Sequence, residues 1–149
     1  MTNTTIERST TESARSEIEA NLLRLYGAWQ ARDEAGIRAL FSDRDELMLW
    51  GTDAFERIVG RAEADAEFVT WIATCPPWTA MAPTHRVIGT GGDLVWVADE
   101  VEGRWENETE AGTEHFRVST VWEKSDCSWR LVHANVASPH QRGSAQEAP

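Results

Sequence analysis

The sequence predicts a single α+β domain in which helices cover a curved antiparallel sheet around an apolar cavity. Three observations predict it: helical spacing of apolar residues in the first half, two-residue alternation in the second half, and eight tryptophans in 149 residues. The polar segments 1–11 and 141–149 could bury little apolar surface. We expect them to be disordered tails on one domain that spans 12–140.

The first half predicts three helices and one short strand. In the segment 12–32 the apolar residues recur on one helical face. A short second helix follows, with Asp33 as its cap. The segment 46–50, ELMLW, is typical of a mostly buried strand. A third helix covers 61–74, and the two prolines that follow it end it because proline lacks the amide hydrogen.

The second half predicts four long strands in a meander, 84–90, 94–104, 113–124 and 129–138, the first two joined by a Gly91–Gly92–Asp93 turn. Neither face of the last two strands is purely polar. In a sheet with one face in contact with solvent, apolar and polar side chains should alternate strictly along each strand. We therefore expect both faces of this sheet to be covered. Helices can cover one face, and a second copy of the same sheet in a homodimer can cover the other.

Composition narrows the classes of partner. The formal charge of −11 makes nucleic acid an unlikely partner, because a binder must neutralise phosphates with its own cations. No apolar run is long enough to span a bilayer, and the opening residues lack a secretory pattern, so a cytoplasmic protein with two reduced cysteines is expected. The four histidines and two cysteines show no zinc-like spacing, and no glycine loop suits a phosphate. We therefore expect neither metal nor cofactor.

The C-terminal hairpin carries a family resemblance. The stretch FRVSTVWEKSDCSWRLVHANVASPH, 116–140, resembles the hairpin of SnoaL-like proteins in the nuclear transport factor 2-like superfamily. In that hairpin a strand ending in Val-Trp turns through an Asp-containing loop and returns as Trp-x-x-Val-His-x-His before Ser and Pro. The hairpin also looks like that of the calcium/calmodulin-dependent kinase association domain. More loosely, YGAWQARDEAGIRALFS, 26–42, is similar to the helix, acidic turn and second helix that open many members.

The resemblance implies a cone-shaped fold with an internal cavity, usually in homodimers. It also implies which side chains of the sheet face the cavity and which face a second subunit. The expected ligand-pocket residues are Tyr26, Trp50, Trp71, Trp96, Phe116, Val118, Thr120 and Val136. The face behind the last two strands would then hold the expected dimer-interface residues, Arg117, Ser119, His133 and Asn135. His133 has a second interpretation, as an acid or base near neutral pH.

Membership of a fold family does not determine activity, so activity has to be predicted from individual residues. The ketosteroid isomerases of the superfamily would place a base near 48–50 and an acid donor near Val118, where this sequence is apolar. One face of the strand 94–104 contains Trp96 and Glu100. Glu100 is the candidate catalytic residue if that face points into the cavity, and an ordinary solvated charge if it points outward.

Two functions therefore remain open. The first is binding of a small hydrophobic or aromatic metabolite in the cavity, with or without acid–base conversion. The second is a non-catalytic dimerisation or association module with the same fold. The number of tryptophans favours a ligand pocket, and the weak match to the isomerase pattern favours the association module.

Overall fold

The computed structural model describes residues 3–139, with side chains from Thr11 onward. The helices are α1 (Asn3–Gln30), α2 (Glu34–Arg38) and α3 (Arg61–Thr74). The strands are β1 (Met48–Trp50), β2 (Arg57–Val59), β3 (Trp78–Gly91), β4 (Leu94–Glu106), β5 (Ala111–Ser125) and β6 (Ser128–Ala137). Among the described residues, no helix has the length and apolar character needed to cross a membrane.

The strands form one curved, open sheet in the order β2-β1-β6-β5-β4-β3. The four long strands form the predicted antiparallel meander, while the short β1 pairs in parallel with β6. At the turn between β3 and β4, Gly92 has a φ of 58°. Glycine adopts such a positive φ without steric cost, which suits a two-residue hairpin. The predicted α+β class and the meander are confirmed.

Several boundaries differ from the prediction. The strand β2 is not predicted, because three residues are too few to show a period. The strand β3 begins at Trp78 instead of residue 84 and contains Pro83. A proline is tolerated there because β3 is the edge strand, and the register shifts beside it. Helix α1 begins at Asn3, earlier than the predicted residue 12. The domain limits 12–140 stay a prediction, and 141–149 lies outside the described residues.

The core lies between the helices and the concave inner face of the sheet. Helix α1 packs against β3 and β4 through its predicted apolar stripe, with Ile18 and Leu22 completely buried. Asp33 caps α2 as predicted, since its carboxylate accepts the backbone N–H of Gly36 at 3.0 Å. The stripe and the cap both follow from local spacing, which is why the sequence predicts them well.

The outer face of the sheet has a broad band with little charge. Two rows of cross-strand partners cross all six strands: Val59, Met48, His133, Val121, Trp96 and Gly89, then Arg57, Trp50, Asn135, Ser119, Ala98 and Val87. Trp96 is 51% exposed in the single chain. Only Arg57, at the edge strand, is charged in these rows. The described chain thus presents two large apolar rings, Trp50 and Trp96, within two rows that contain little charge.

Candidate functional site: an aromatic cavity between helices and sheet

A cavity of about 220 Å³ opens between the helices and the inner face of the sheet. Its walls are mainly aromatic, with rings from Tyr26, Trp29, Phe41, Trp50, Phe68, Trp71, Trp78 and Phe116. Aliphatic side chains of β5 and β6 form the floor, among them Val118, Ala134 and Val136. Concave, mostly apolar spaces with few polar groups are the usual shape of small-molecule sites.

Most of the predicted pocket residues lie at this cavity. Tyr26, Trp50, Trp71, Phe116, Val118, Thr120 and Val136 all line it. Trp50 stands at the rim, because its ring is 44% exposed and packs edge-on against the outer-face ring of His133, with centroids 5.4 Å apart. Trp96 is placed elsewhere: it lies on the outer face, over Gly89. The prediction that Trp96 belongs to the pocket is therefore corrected.

The orientation of β4 also corrects the assignment of Glu100. Val97, Asp99 and Val101 are buried on the inner face, so Glu100 points outward and is exposed. Alternation alone cannot tell the two faces of this strand apart, because both carry apolar residues followed by an acid. The outward position removes Glu100 as an acid or base in the cavity.

Asp99 is the buried acid, and its charge is paired. Arg86 on β3 donates twice to its carboxylate, through Nε at 2.7 Å and Nη2 at 2.8 Å. The Tyr26 hydroxyl donates to Asp99 Oδ2 at 2.7 Å. A buried carboxylate is tolerated when it is paired and hydrogen-bonded in this way. The sequence offers no signal for this group, since its members are far apart along the chain.

The hydrogen-bonding state of Tyr26 limits its chemistry. Burial, together with the hydrogen bond to the Asp99 carboxylate, raises the pKa of Tyr26 far above its usual range. Its proton is committed to Asp99, so the hydroxyl can offer a ligand only an acceptor lone pair. The hydrogen bond to Asp99 also raises the pKa of Arg86. Tyr26 therefore serves as a fixed wall group and is not a free acid or base.

Cys75 follows α3 and forms part of the wall. Burial raises the pKa of its thiol, and the negative charge of Glu56 raises it further. The positive charge of Arg32 and hydrogen bonds from the indoles of Trp29 and Trp78 lower it by a smaller amount. Because the thiolate is the nucleophilic form, a raised pKa describes an unreactive thiol. Cys75 therefore contributes a mostly protonated thiol to the cavity wall.

Two carboxylates that are not among the predicted site residues lie at the cavity. Glu56 belongs to the loop between β1 and β2, and its Oε2 accepts the backbone N–H of Asp53 at 3.0 Å. Glu114 is on β5, two positions before Phe116 and therefore on the same inward side of the strand. That spacing could have identified Glu114. The position of Glu56 depends on a turn that carries no comparable periodicity.

The four predicted dimer residues share the outer face, opposite the cavity. His133 and Asn135 lie on β6, and Arg117 and Ser119 lie beside them on β5. The Nδ1 of His133 donates to the carbonyl oxygen of Met48 at 3.0 Å, which ties β6 to β1. Its ring is turned away from the cavity, so it is not an acid or base there. No three metal-ligating side chains cluster anywhere in the part of the chain that the structure describes.

Comparison with known proteins identifies the family. A model of the SnoaL-like domain matches residues 18–140. The chain belongs to the SnoaL-like family. No curated protein matches it. This SnoaL-like chain is similar in structure to an NTF2-like protein of unknown function from Pseudomonas putida KT2440, with 18% identity, a TM-score of 0.73 and coverage of 89% of this chain and 91% of that one.

Two further structures agree. An NTF2-like superfamily protein from Salmonella enterica has 16% identity and a TM-score of 0.72, over 93% of this SnoaL-like chain and 99% of its own. A candidate calcium/calmodulin-dependent kinase II association domain from Exiguobacterium sibiricum has 10% identity and a TM-score of 0.66, over 86% and 95% of the two chains. At these identities the likeness shows the fold alone. It confirms the predicted resemblance and the cone-shaped α+β architecture.

Proposed function

We propose that this SnoaL-like domain binds a small hydrophobic or aromatic molecule in its cavity. The observation that carries the proposal is the wall of eight aromatic rings around a space of about 220 Å³. Flat apolar molecules gain both burial and ring–ring contacts in such a space. The hydrogen bond to Asp99 holds Tyr26, one member of this wall, in place.

The state of the residues around the cavity favours binding of the molecule over its conversion. The Tyr26 hydroxyl donates its proton to Asp99, and the pKa of the Cys75 thiol is raised. The side chains of Glu100 and His133 face away from the cavity. An acid–base step on a bound molecule would fall to Glu56 or Glu114, the acids that line the cavity. Glu56 is half-buried and already accepts a backbone N–H, whereas Glu114 is exposed.

A cavity-filling substitution tests the binding site. Ala134 lines the floor of the cavity, so Ala134→Leu should occupy the space that a ligand needs. We expect it to weaken binding by about tenfold or more, since misfit in a packed apolar space costs about 1–3 kcal/mol. The measurement is quenching of intrinsic fluorescence by a panel of small aromatic and polycyclic compounds, because four of the tryptophans line the cavity.

The matched control is Ala73→Leu. Ala73 is exposed on α3 and does not line the cavity, so the same substitution there should leave affinity within about twofold. Equal loss in both variants would contradict the assigned site. No saturable binding by any compound, in a protein that still self-associates, would favour the association module over the binding protein.

The same proposal includes a homodimer that uses the outer face of the sheet. That face carries the low-charge rows around Trp96 and His133 and leaves the Trp96 ring half exposed in a single chain. Exposed apolar patches of this kind usually mark contact surfaces. A second copy of the sheet would bring the same low-charge rows to the contact, so neither copy would bury many unpaired charges.

A further inference from the structure

The sheet leaves large apolar side chains exposed at two opposite ends of its outer face. Six of the eight large apolar side chains that are exposed among the described residues belong to these ends. They are Trp50, Phe55 and Val59 at the β1–β2 end, and Val87, Leu94 and Trp96 at the β3–β4 end. The strands β6 and β5 separate the two ends. Exposed apolar patches usually mark contacts, so we expect both ends to be covered in the assembled protein.

Phe55 is the most exposed of these side chains, at 94%, and its turn holds it rigidly. Asp53 Oδ1 accepts the backbone N–H of Phe55 at 3.0 Å, and Glu56 Oε2 accepts that of Asp53 at 3.0 Å. The N–H of Gly51 donates to the carbonyl oxygen of Glu56 at 2.9 Å and closes the turn. A ring on a rigid turn loses little conformational freedom on contact, which suits an anchor in an interface.

The middle of the outer face has smaller side chains. Ser119 on β5 is the partner of Asn135 on β6 and of Ala98 on β4. Because the inner face is concave around the cavity, the outer face is convex, and two copies laid face to face approach most closely at the middle. The large rings at the ends would fill the space that opens where the two convex sheets diverge.

A two-fold axis can relate two aligned sheets of this kind in two ways. If the axis runs across the strands, each end meets the same end of the partner. If the axis runs parallel to the strands, each row lies over the same row of the partner, and each β1–β2 end meets the partner's β3–β4 end. Both ways cover all the exposed rings, so charge has to distinguish them.

The charges of the outer face favour the axis parallel to the strands. Arg57 is exposed on β2, and Glu100 is exposed on β4, one row beyond the low-charge rows. Neither takes part in an ion pair among the described residues, although His85 and Arg117 flank Glu100 on the neighbouring strands. Within one chain Arg57 and Glu100 are four strands apart, about 19 Å, and cannot pair.

Between copies the separation depends on the axis. An axis across the strands would bring the two Arg57 side chains toward each other at one end, which is unfavourable for like charges. An axis parallel to the strands places Arg57 one strand and one row from the partner's Glu100. That sideways offset is about 8 Å, within the combined reach of the two long side chains.

We infer that the two copies are related by a two-fold axis parallel to the strands. Each β1–β2 end then covers the partner's β3–β4 end, and Arg57 pairs with the partner's Glu100. The axis repeats each contact, so both occur twice in the dimer. The inference rests on the homodimer of the proposed function and adds its arrangement and its charged contact.

Co-expression of two singly labelled chains tests the arrangement. Both chains carry Cys127→Ser, which removes the exposed native thiol. One also carries Arg57→Cys and the other Val87→Cys, at exposed positions of one row on opposite edges of the sheet. We expect a short bis-maleimide to join the two different chains and to leave chains of one kind unjoined, as identified by mass spectrometry. Chains with Cys127→Ser alone are the control for reaction at Cys75.

A charge exchange tests the ion pair. Arg57→Glu and Glu100→Arg should each weaken the dimer by about three- to tenfold, because each places like charges together twice. The two substitutions in one chain should restore most of the affinity, measured by sedimentation equilibrium. Arg24→Glu is the matched control, since Arg24 is exposed on α1 and makes the same change of charge away from the sheet. It should leave the affinity within about twofold.

The outcomes separate the arrangement from the homodimer itself. An unmodified protein that stays monomeric would contradict the homodimer of the proposed function. A dimer in which each labelled chain joins its own kind, or in which no chains join, would overturn the inferred axis and leave the homodimer standing. Losses of affinity that add in the double charge variant would likewise overturn the inferred pair.

Discussion

Tyr26 is the only tyrosine of the chain, and its buried hydroxyl holds the carboxylate of Asp99 together with Arg86. These three side chains bring α1, β3 and β4 together at one point beside the cavity. The adjacent acid, Glu100, contributes nothing there because successive side chains of a strand point to opposite faces. A single residue step thus separates a buried structural acid from a solvated one.

The titration of Tyr26 is a direct test of this arrangement. Because the folded pKa is raised, the folded protein should show no tyrosinate absorbance about one pH unit above the ordinary value of about 10, whereas the denatured protein should. The associated stability is complete below that ordinary value and is lost as pH rises above it toward the folded pKa, by up to ~1.4 kcal/mol per unit.

Denaturant unfolding across this alkaline range measures the loss of stability. In Tyr26→Phe the fall in the free energy of unfolding should be shallower, since the titrating group is absent. Tyrosinate absorbance appearing at the ordinary pH in a protein that is still folded would show that the Tyr26 hydroxyl is not buried against Asp99.

At the scale of elements, β4 supports two rings of the cavity wall, Trp78 and Phe116, from its inner face. Its inner side chains are buried, and Gly103 leaves room for the rings of Trp78 and Phe116. The predicted order of the meander strands and the turn at residues 91–93 were correct because turn residues and alternation are local signals. The short β2 and the early start of β3 were not predictable in this way, since pairing with a neighbouring strand is what defines them.

Gly103→Ala tests the close packing on β4. The added Cβ would meet the Trp78 ring at 2.6 Å, and we expect a loss of about 1–3 kcal/mol in the free energy of unfolding. Gly27→Ala is the matched control, because nothing lies within 4 Å of a Cβ at that helical position. It should be neutral or stabilise α1 by up to ~1 kcal/mol. Urea unfolding gives both values, and equal effects would mean that the rings do not rest on Gly103.

At the scale of the whole molecule, the two faces of the sheet have separate roles. The inner face lines the cavity, and the outer face carries the proposed contact between subunits. His133 lies on the outer side: its Nδ1 donates to the Met48 carbonyl and links β6 to β1, and its ring stands perpendicular to that of Trp50. Self-association and ligand binding should therefore be separable by substitution.

Trp96→Glu tests the subunit contact. A carboxylate in the middle of the low-charge rows would be buried without a partner in the dimer, so we expect the variant to sediment as a monomer at micromolar concentration. Leu23→Glu is the control, since Leu23 is 76% exposed on α1, away from the sheet. A wild-type monomer in analytical ultracentrifugation, or dissociation by both variants alike, would contradict the proposed interface.

The sequence by itself determined the three helices, the four long strands, the buried stripe of α1, the inward face of the C-terminal hairpin and the family. All of these depend on local period, local turns or a contiguous motif. Only the tertiary structure decided which face of β4 points inward. A period of two separates the faces of a strand without saying which one is buried. Asp99 could be buried because Arg86 and Tyr26, 13 and 73 positions away along the chain, pair with its charge.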